Sequence, residues 1–303
     1  MTVIRLGTRG SQLALAQTRH VAQRLQKALP GCSCEIVVIR TKGDAVQDKA
    51  LHEIGGKGIF VQEIEEQILS GQVDVGVHSM KDMPAAPAEG LAFSRTWPRE
   101  DPRDVLVLRQ AASLAELPAG AVLATGSKRR AFQLNRLRPD LQVTGIRGNV
   151  DTRLRKMEEG AADGLVMAAA GLRRLGLAGR ITQYLDPESE LVPACGQGAL
   201  ALEYRADRAE LAALLDSLSS PEDHRLACAE RTFLAAVEGG CHIPVGAYCR
   251  REGDGLLLTA VLGTEDGARL ERAVLRGGLE EGEALARRAA ALLREKIGKE
   301  GRL

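Results

Sequence analysis

Ala121-Val122-Leu123-Ala124-Thr125-Gly126-Ser127-Lys128-Arg129-Arg130 reads as a short apolar strand, a small polar turn and the start of a helix bearing two arginines. The same order occurs near the N-terminus. There Val3 to Gly7 is strand-like, Thr8-Arg9-Gly10-Ser11 is the turn, and Leu13, Gln17, Val21, Leu25 and Leu29 follow four residues apart on one helix face. In the N-terminal copy Ser11 stands where a helix N-cap belongs, with Arg9 just before it. A strand ending at a helix N-terminus beside an arginine is a ready anion site. An ordinary capped turn would be written the same way, so neither segment decides the matter alone.

Working outward, strands are expected at Glu35 to Thr41 and at Val73 to Val77 in the first half. In the second, Gln142 to Ile146 leads into Arg147-Gly148-Asn149 and a helix with Arg153 and Arg155. Asp163 to Ala168 leads into Ala169-Ala170-Gly171, with Arg173 and Arg174 beyond. The near-continuous apolar runs suit parallel strands covered on both faces. Thr96 to Asp104 is a charged, proline-bracketed crossing, and Pro193-Ala194-Cys195-Gly196-Gln197-Gly198 is a glycine-rich one, followed by a strand from Ala199 to Tyr204. Two similar α/β units joined by two crossings describe a pair of type II periplasmic-binding-protein-like domains with a hinged cleft. From Pro221 the pattern changes to a helix through Arg231 to Val237. Strands near Val245 to Arg250, Leu256 to Gly263 and Arg269 to Leu275 follow, then a helix from Glu280 to Lys296. This is a small C-terminal α+β domain. The expected division is 1–97 with 198–217, then 98–197, then 218–303.

The chain has 303 residues and a net charge of +1, which gives no global field for nucleic acid or an acidic membrane. Aromatics are only 3%, against base stacking on single strands. Of the 41 basic residues 32 are arginine, the side chain whose planar fork suits carboxylate and phosphate, although a GC-rich genome would favour it too. Six scattered cysteines without a signal-peptide pattern point to reduced thiols in a cytoplasm. No apolar run is long enough to span a membrane. The histidines His20, His52 and His224 form no metal spacing, and no metal is expected.

Two stretches carry chemistry. Val73 to Val77 runs into His78-Ser79-Met80-Lys81-Asp82-Met83-Pro84, and ligands of open α/β sheets bind outside the carboxyl ends of strands. Asp82 is the only carboxylate of that loop, and hence the candidate acid/base or cation stabiliser, although Lys81 and Asp82 could also be a solvated surface pair. The second stretch is Glu238-Gly239-Gly240-Cys241-His242-Ile243-Pro244-Val245-Gly246, where a thiol sits on a loop with two glycines before it and a proline after it. Such a cysteine is open to something bulky, or packs against its own domain. Lys42 to Gly58, with Gly43, Gly55, Gly56 and Gly58, reads as a lid beside the site. The following helix should face the core through Phe60, Ile64 and Ile68.

These motifs together resemble the porphobilinogen deaminase (hydroxymethylbilane synthase) family nearly end to end. The resemblance is most specific at Glu230-Arg231 through Gly239-Gly240-Cys241-x-Ile243-Pro244-Val245-Gly246 and at His78 to Pro84. It holds also at Arg147-Gly148-Asn149-Val150-x-Thr152-Arg153-Leu154, Ala170-Gly171-Leu172-x-Arg174-Leu175-Gly176 and Gly196-Gln197-Gly198-Ala199. It implies a transferase of haem biosynthesis that condenses four porphobilinogen molecules into hydroxymethylbilane with release of ammonia. It implies a dipyrromethane cofactor on Cys241 through a thioether, and Asp82 as the catalytic carboxylate. Lys81, Asp82, Ser127, Arg129, Arg130 and Arg153 would then bind cofactor. Arg9, Ser11, Arg147, Arg153 and Arg174 would bind substrate carboxylates. A monomer that passes its product to the next tetrapyrrole enzyme is also implied. Where the family usually has Thr-Ser-Ser-Leu-Arg-Arg, this chain has Thr125-Gly126-Ser127-Lys128-Arg129-Arg130.

Two other readings compete. A non-catalytic two-lobed binding module for small carboxylic acids fits the arginines and crossings, but not Gly-Gly-Cys or the lone Asp82. A cysteine hydrolase using Cys241 and His242 lacks an orienting third group, and adjacent loop residues rarely face each other.

Overall fold

A computed structural model describes residues 2–41, 61–237 and 243–298. The chain forms two compact units, Met1–Glu100 with Ala199–His224 and Asp101–Gly198 with Arg225–Leu303.

In the first unit, β1 (Thr2–Arg9) is followed by α1 (Gln12–Ala28) and β2 (Cys32–Ile39). After α2 (Gln62–Leu69) come β3 (Val75–Ser79), a single 3-10 turn at Met80–Asp82, and β4 (Leu91–Phe93). β10 (Leu200–Arg205) and α6 (Ala209–Ser217) return to this unit late in the sequence. The sheet order is β2-β1-β3-β10-β4. β1 runs parallel to β2 and β3, whereas β10 is antiparallel to β3 and β4.

The α1 face works as its spacing requires: Val21 and Leu25 are buried against Ile4, Leu6, Val75, Val77 and Trp97. On the opposite face of the sheet, Ile64 and Ile68 of α2 close over Val73 and Leu91. Phe60, expected on the same helix face, lies outside the described residues, as does the Lys42 to Gly58 stretch.

The second unit starts with β5 (Asp104–Leu108), then β6 (Val122–Ala124), α3 (Lys128–Leu137), β7 (Gln142–Thr144) and α4 (Val150–Glu158). β8 (Gly164–Ala168), α5 (Ala169–Arg174) and β9 (Gln183–Tyr184) complete its sheet, in the order β7-β6-β8-β5-β9. Again the first three strands are parallel and the fourth, β5, is antiparallel to its neighbours.

Both sheets share one strand order, three parallel strands and then an antiparallel fourth, so the two units are built alike. The strands expected to run parallel do so, and each sheet adds an antiparallel fourth. The fourth strand of each sheet arrives by a crossing rather than through a helix, so it can enter against the direction of the others. The structure corrects the place of Asp104. That residue is not part of the charged crossing but opens a strand whose residues are buried throughout.

The C-terminal part of the second unit follows α7 (Pro221–Ala236). β11 (Val245–Glu252), β12 (Gly255–Gly263) and β13 (Leu270–Gly278) form an antiparallel meander, and α8 (Gly282–Gly298) packs over it. Its core joins Phe233 of α7 to Leu256, Leu258, Leu285 and Leu293. Among the described residues no helix is long and apolar enough to cross a membrane.

Candidate functional site

Each unit gathers its predicted residues at the carboxyl edge of its parallel strands. In the first, β1 delivers Arg9 and then Ser11, whose Oγ accepts the Ala14 N–H at 3.3 Å and caps α1. The neighbouring β3 ends at Ser79, whose Oγ accepts from Gln17 Nε2 at 2.9 Å, which ties α1 to the strand end. The turn that follows is pinned on both sides. Met80 and Met83 are buried, and the Met80 N–H donates to the Ala199 carbonyl at 3.0 Å. Held this way, the turn leaves Lys81 half-buried and Asp82 exposed. Among the described residues no hydrogen bond or ion pair is made by the Asp82 carboxylate, so it is open to a ligand.

Behind this turn lies a feature that sequence reasoning missed. His78 Nε2 is 3.2 Å from Glu203 Oε2, and both side chains are buried. A Cβ on Gly76 would stand 2.7 Å from that Nε2, so the glycine makes room for the ring to fold back across the strand. Burial, with Glu203 next in weight, raises the pKa of Glu65 on α2.

In the second unit three parallel strands lead to three helix starts. Ser127 caps α3, its Oγ taking the Arg130 N–H at 3.5 Å. Asn149 Oδ1 takes the Thr152 N–H at 3.0 Å and caps α4. Gly148 precedes it at φ +112°, where a Cβ would also meet Thr152 at 2.7 Å, so glycine is required there. Arg153 Nε donates to the Gly148 carbonyl at 2.8 Å, and Arg174 Nη2 to the Gly198 carbonyl at 2.7 Å. Arg147 is half-buried, and no ion pair of it occurs among the described residues.

Arg129 and Arg130, expected to bind an anionic ligand, are buried beside an internal acid. Each is 6% exposed, and they share Asp104, which is fully buried. Arg129 Nη1 reaches one carboxylate oxygen at 2.7 Å, and Arg130 Nε and Nη2 reach the other at 2.9 and 2.7 Å. Burial alone would raise the Asp104 pKa, but the two guanidiniums overcome it and hold the carboxyl well below the ordinary range. The usable signal was the alternation of charge into an apolar run at Asp104-Val105-Leu106-Val107-Leu108, which is a strand start.

The two departures at the α3 turn have local partners. Lys128 Nζ points to Glu265, 3.3 Å from its carbonyl and 3.5 Å from its carboxylate. A Cβ on Gly126 would lie 3.0 Å from the Ile146 carbonyl, so a larger residue would crowd that backbone. The Glu230 of the signature is also accounted for. Its fully buried carboxylate accepts the Gly196 N–H at 2.7 Å and the Cys249 N–H at 3.0 Å, which fastens the second crossing to α7 and β11. Cys241 and His242 lie outside the described residues. Among the described residues no group of three or more His, Cys, Asp or Glu could hold a metal ion.

Residues 4–213 match the family model described as porphobilinogen deaminase, dipyromethane cofactor binding domain, and residues 225–295 match its C-terminal domain. The chain belongs to the porphobilinogen deaminase family. It is 52% identical over 292 residues to the porphobilinogen deaminase of Lachnospira eligens, covering 95% of this chain and 98% of that one. Identity to the Clostridioides difficile protein of the same name is 46%, covering 95% and 96%. Identity to that of Syntrophobacter fumaroxidans is 45%, covering 94% and 92%. Among solved structures the chain is similar to a methionine binding protein, MetQ, at 15% identity, 76% and 94% coverage and a TM-score of 0.45.

Proposed function

We propose that this chain performs the reaction of its family: head-to-tail condensation of four porphobilinogen molecules, with one ammonia released at each step and one water taken up when the chain is freed as hydroxymethylbilane. The observation that carries the reading is Asp82, a single exposed carboxylate on a turn pinned by Met80 and Met83 at the carboxyl edge of the sheet. Porphobilinogen loses its amine by electron release from the ring nitrogen, which leaves a cationic ring. A carboxylate within hydrogen-bond reach of the pyrrole N–H stabilises that developing charge and can carry the proton. Asp82 fills this role, with Lys81 beside it to receive a ligand carboxylate.

Every pyrrole brings an acetate and a propionate, so the binding residues must be cationic and directional. Arginine is both. The α3 start fits such a ligand: Arg129 and Arg130 exceed Asp104 by one positive charge, and Ser127 holds the helix N-terminus beside them. Lys81, Asp82, Ser127, Arg129, Arg130 and Arg153 would hold the dipyrromethane, attached by a thioether at Cys241. Arg9, Ser11, Arg147, Arg153 and Arg174 would orient the incoming substrate. When bound, the dipyrromethane supplies the terminal pyrrole from which the chain is extended. A thioether suits the task because it resists water through repeated turnovers.

The reading keeps the division into 1–97 with 198–217, 98–197 and 218–303, with the cysteine in the last. It also includes a cytoplasmic monomer whose product passes to the following tetrapyrrole enzyme.

Intact mass of the purified protein and its Cys241→Ala variant tests the reading. A mass excess of two condensed pyrrole units, absent from the variant, is expected. Protein that stays unmodified after incubation with porphobilinogen would overturn it and leave reversible binding of a small carboxylic acid.

A further inference from the structure

Beneath the N-terminus of α3, side chains of three elements meet around one carboxylate. Asp104 accepts from Arg129 on one oxygen and from Arg130 on the other, and Gln197 Nε2 donates to that second oxygen at 2.9 Å. Further bonds hold the two guanidiniums, while Arg129 Nε and Nη2 make none among the described residues. Arg129 Nη1 reaches the Val192 carbonyl, Arg130 Nη1 the Val166 carbonyl at 3.1 Å, and Arg130 Nη2 the Gln197 Oε1 at 3.4 Å. Gln133 grips Val192 twice, by Nε2 to its carbonyl at 3.1 Å and by Oε1 from its N–H at 2.9 Å. Nearby, Glu230 spends both oxygens on backbone N–H groups.

The charge of this cluster is therefore fixed. Asp104, Arg129 and Arg130 sum to one positive charge. Two arginines buried side by side would repel and reorient if the carboxylate between them were missing. With it, both guanidinium planes are held from within. A side chain must be locked by its supporting contacts before it can recognise a planar ligand group.

We propose that Asp104 is a positioning residue for carboxylate binding: it locks Arg129 and Arg130 into one rigid receptor whose single residual charge matches one carboxylate of a pyrrole-borne ligand. Gln197 is its support, holding Asp104 and Arg130 together from the second crossing. This deepens the deaminase reading and rests on it. The carboxylate comes either from the dipyrromethane or from free porphobilinogen, and the two are separable by experiment.

The test compares full-length wild type, Asp104→Asn, Asp104→Glu and Gln197→Met. Apo-protein is incubated with increasing porphobilinogen, and the loaded fraction is read by intact mass. The KM of the loaded fraction and the melting temperature are measured alongside. Asp104→Asn should raise the half-loading concentration, the KM or both by about ten- to hundredfold, the scale seen when the outer partner of a liganding side chain is removed. Asp104→Glu should recover part of the loss, and Gln197→Met should move the same quantity in the same direction by less. A shift in loading alone assigns the receptor to the dipyrromethane; a shift in KM alone assigns it to the substrate.

A structural ion pair would lower the melting temperature and the yield of active protein but leave half-loading and KM unchanged. That result would overturn the proposal. If Asp104→Asn does not fold, Gln197→Met decides by the same criterion. Wild-type protein that neither loads nor turns over would instead sink the deaminase reading itself.

Discussion

The carboxyl edges of the two five-stranded sheets share a strand order and differ in what they expose. The first presents an acid, Asp82, on a short turn whose anchors are apolar, so the carboxylate makes no bond to the protein among the described residues. The second presents cations, and its two most buried arginines are fastened to an internal acid. One scaffold can thus serve a group that must change partners during a reaction and a group that must not move. The difference lies in whether the side chain's hydrogen bonds are left open or already used. An open carboxylate is available to a developing cation, whereas a committed guanidinium binds with little loss of freedom.

Breaking the first half of that contrast should have the largest effect. Asp82→Asn keeps the shape and removes the charge, so kcat should fall on the order of 10²- to 10⁴-fold while the melting temperature stays put. Measured ammonia release near the wild-type rate would show that the exposed acid is not the reacting one. On the second sheet stability should fall as well as ligand binding. Asp104→Asn leaves two buried arginines without a charged partner and should cost about 3–5 kcal/mol in denaturant unfolding. A loss below ~1 kcal/mol, the scale of an exposed pair, would mean that the arginines relax to water.

The caps sharpen the comparison, since here the two sheets are alike. Ser11→Ala and Ser127→Ala each remove one side-chain acceptor from a helix N-terminus and should each cost about 1 kcal/mol. A much larger loss at Ser127 would show that its cap also supports the arginine pair.

The smallest effect is expected at His224, whose Nδ1 faces the Thr96 N–H at 3.2 Å. Burial first, and Arg95 second, lower its pKa below the ordinary histidine value. A depressed value in the folded state stabilises at pH above the unfolded value of about 6.5, and this is lost as pH falls through the folded one. The melting temperature of wild type should therefore decline on the acid side of that point more than that of His224→Gln. Parallel curves would remove His224 from the account.

Much of this was legible from residue order. Ser11 sits just before apolar helical periodicity, which is a local signal, and it is a cap. Ile64 and Ile68 are core for the same reason. The antiparallel fourth strands were not legible, because strand direction depends on a partner distant in sequence. β10 pairs with β3 across the whole intervening 101–198 segment of the second unit, and nothing near Leu200 encodes it. Asp104 failed for a related reason. In a run of charges it reads as solvated, and only its burial beside Arg129 and Arg130 shows otherwise.

The sequence by itself determined the strand–turn–helix repeats, the loop that carries Asp82, the arginine-bearing turns and the family, since each depends on residues close together in the chain. Tertiary structure decided which of those charged groups are open and which are spent. That turns on partners brought from far away, such as Asp104 for Arg129 and Arg130, Glu203 for His78, and Glu265 for Lys128. Charge is written residue by residue, but its availability to a ligand is a property of the folded surroundings.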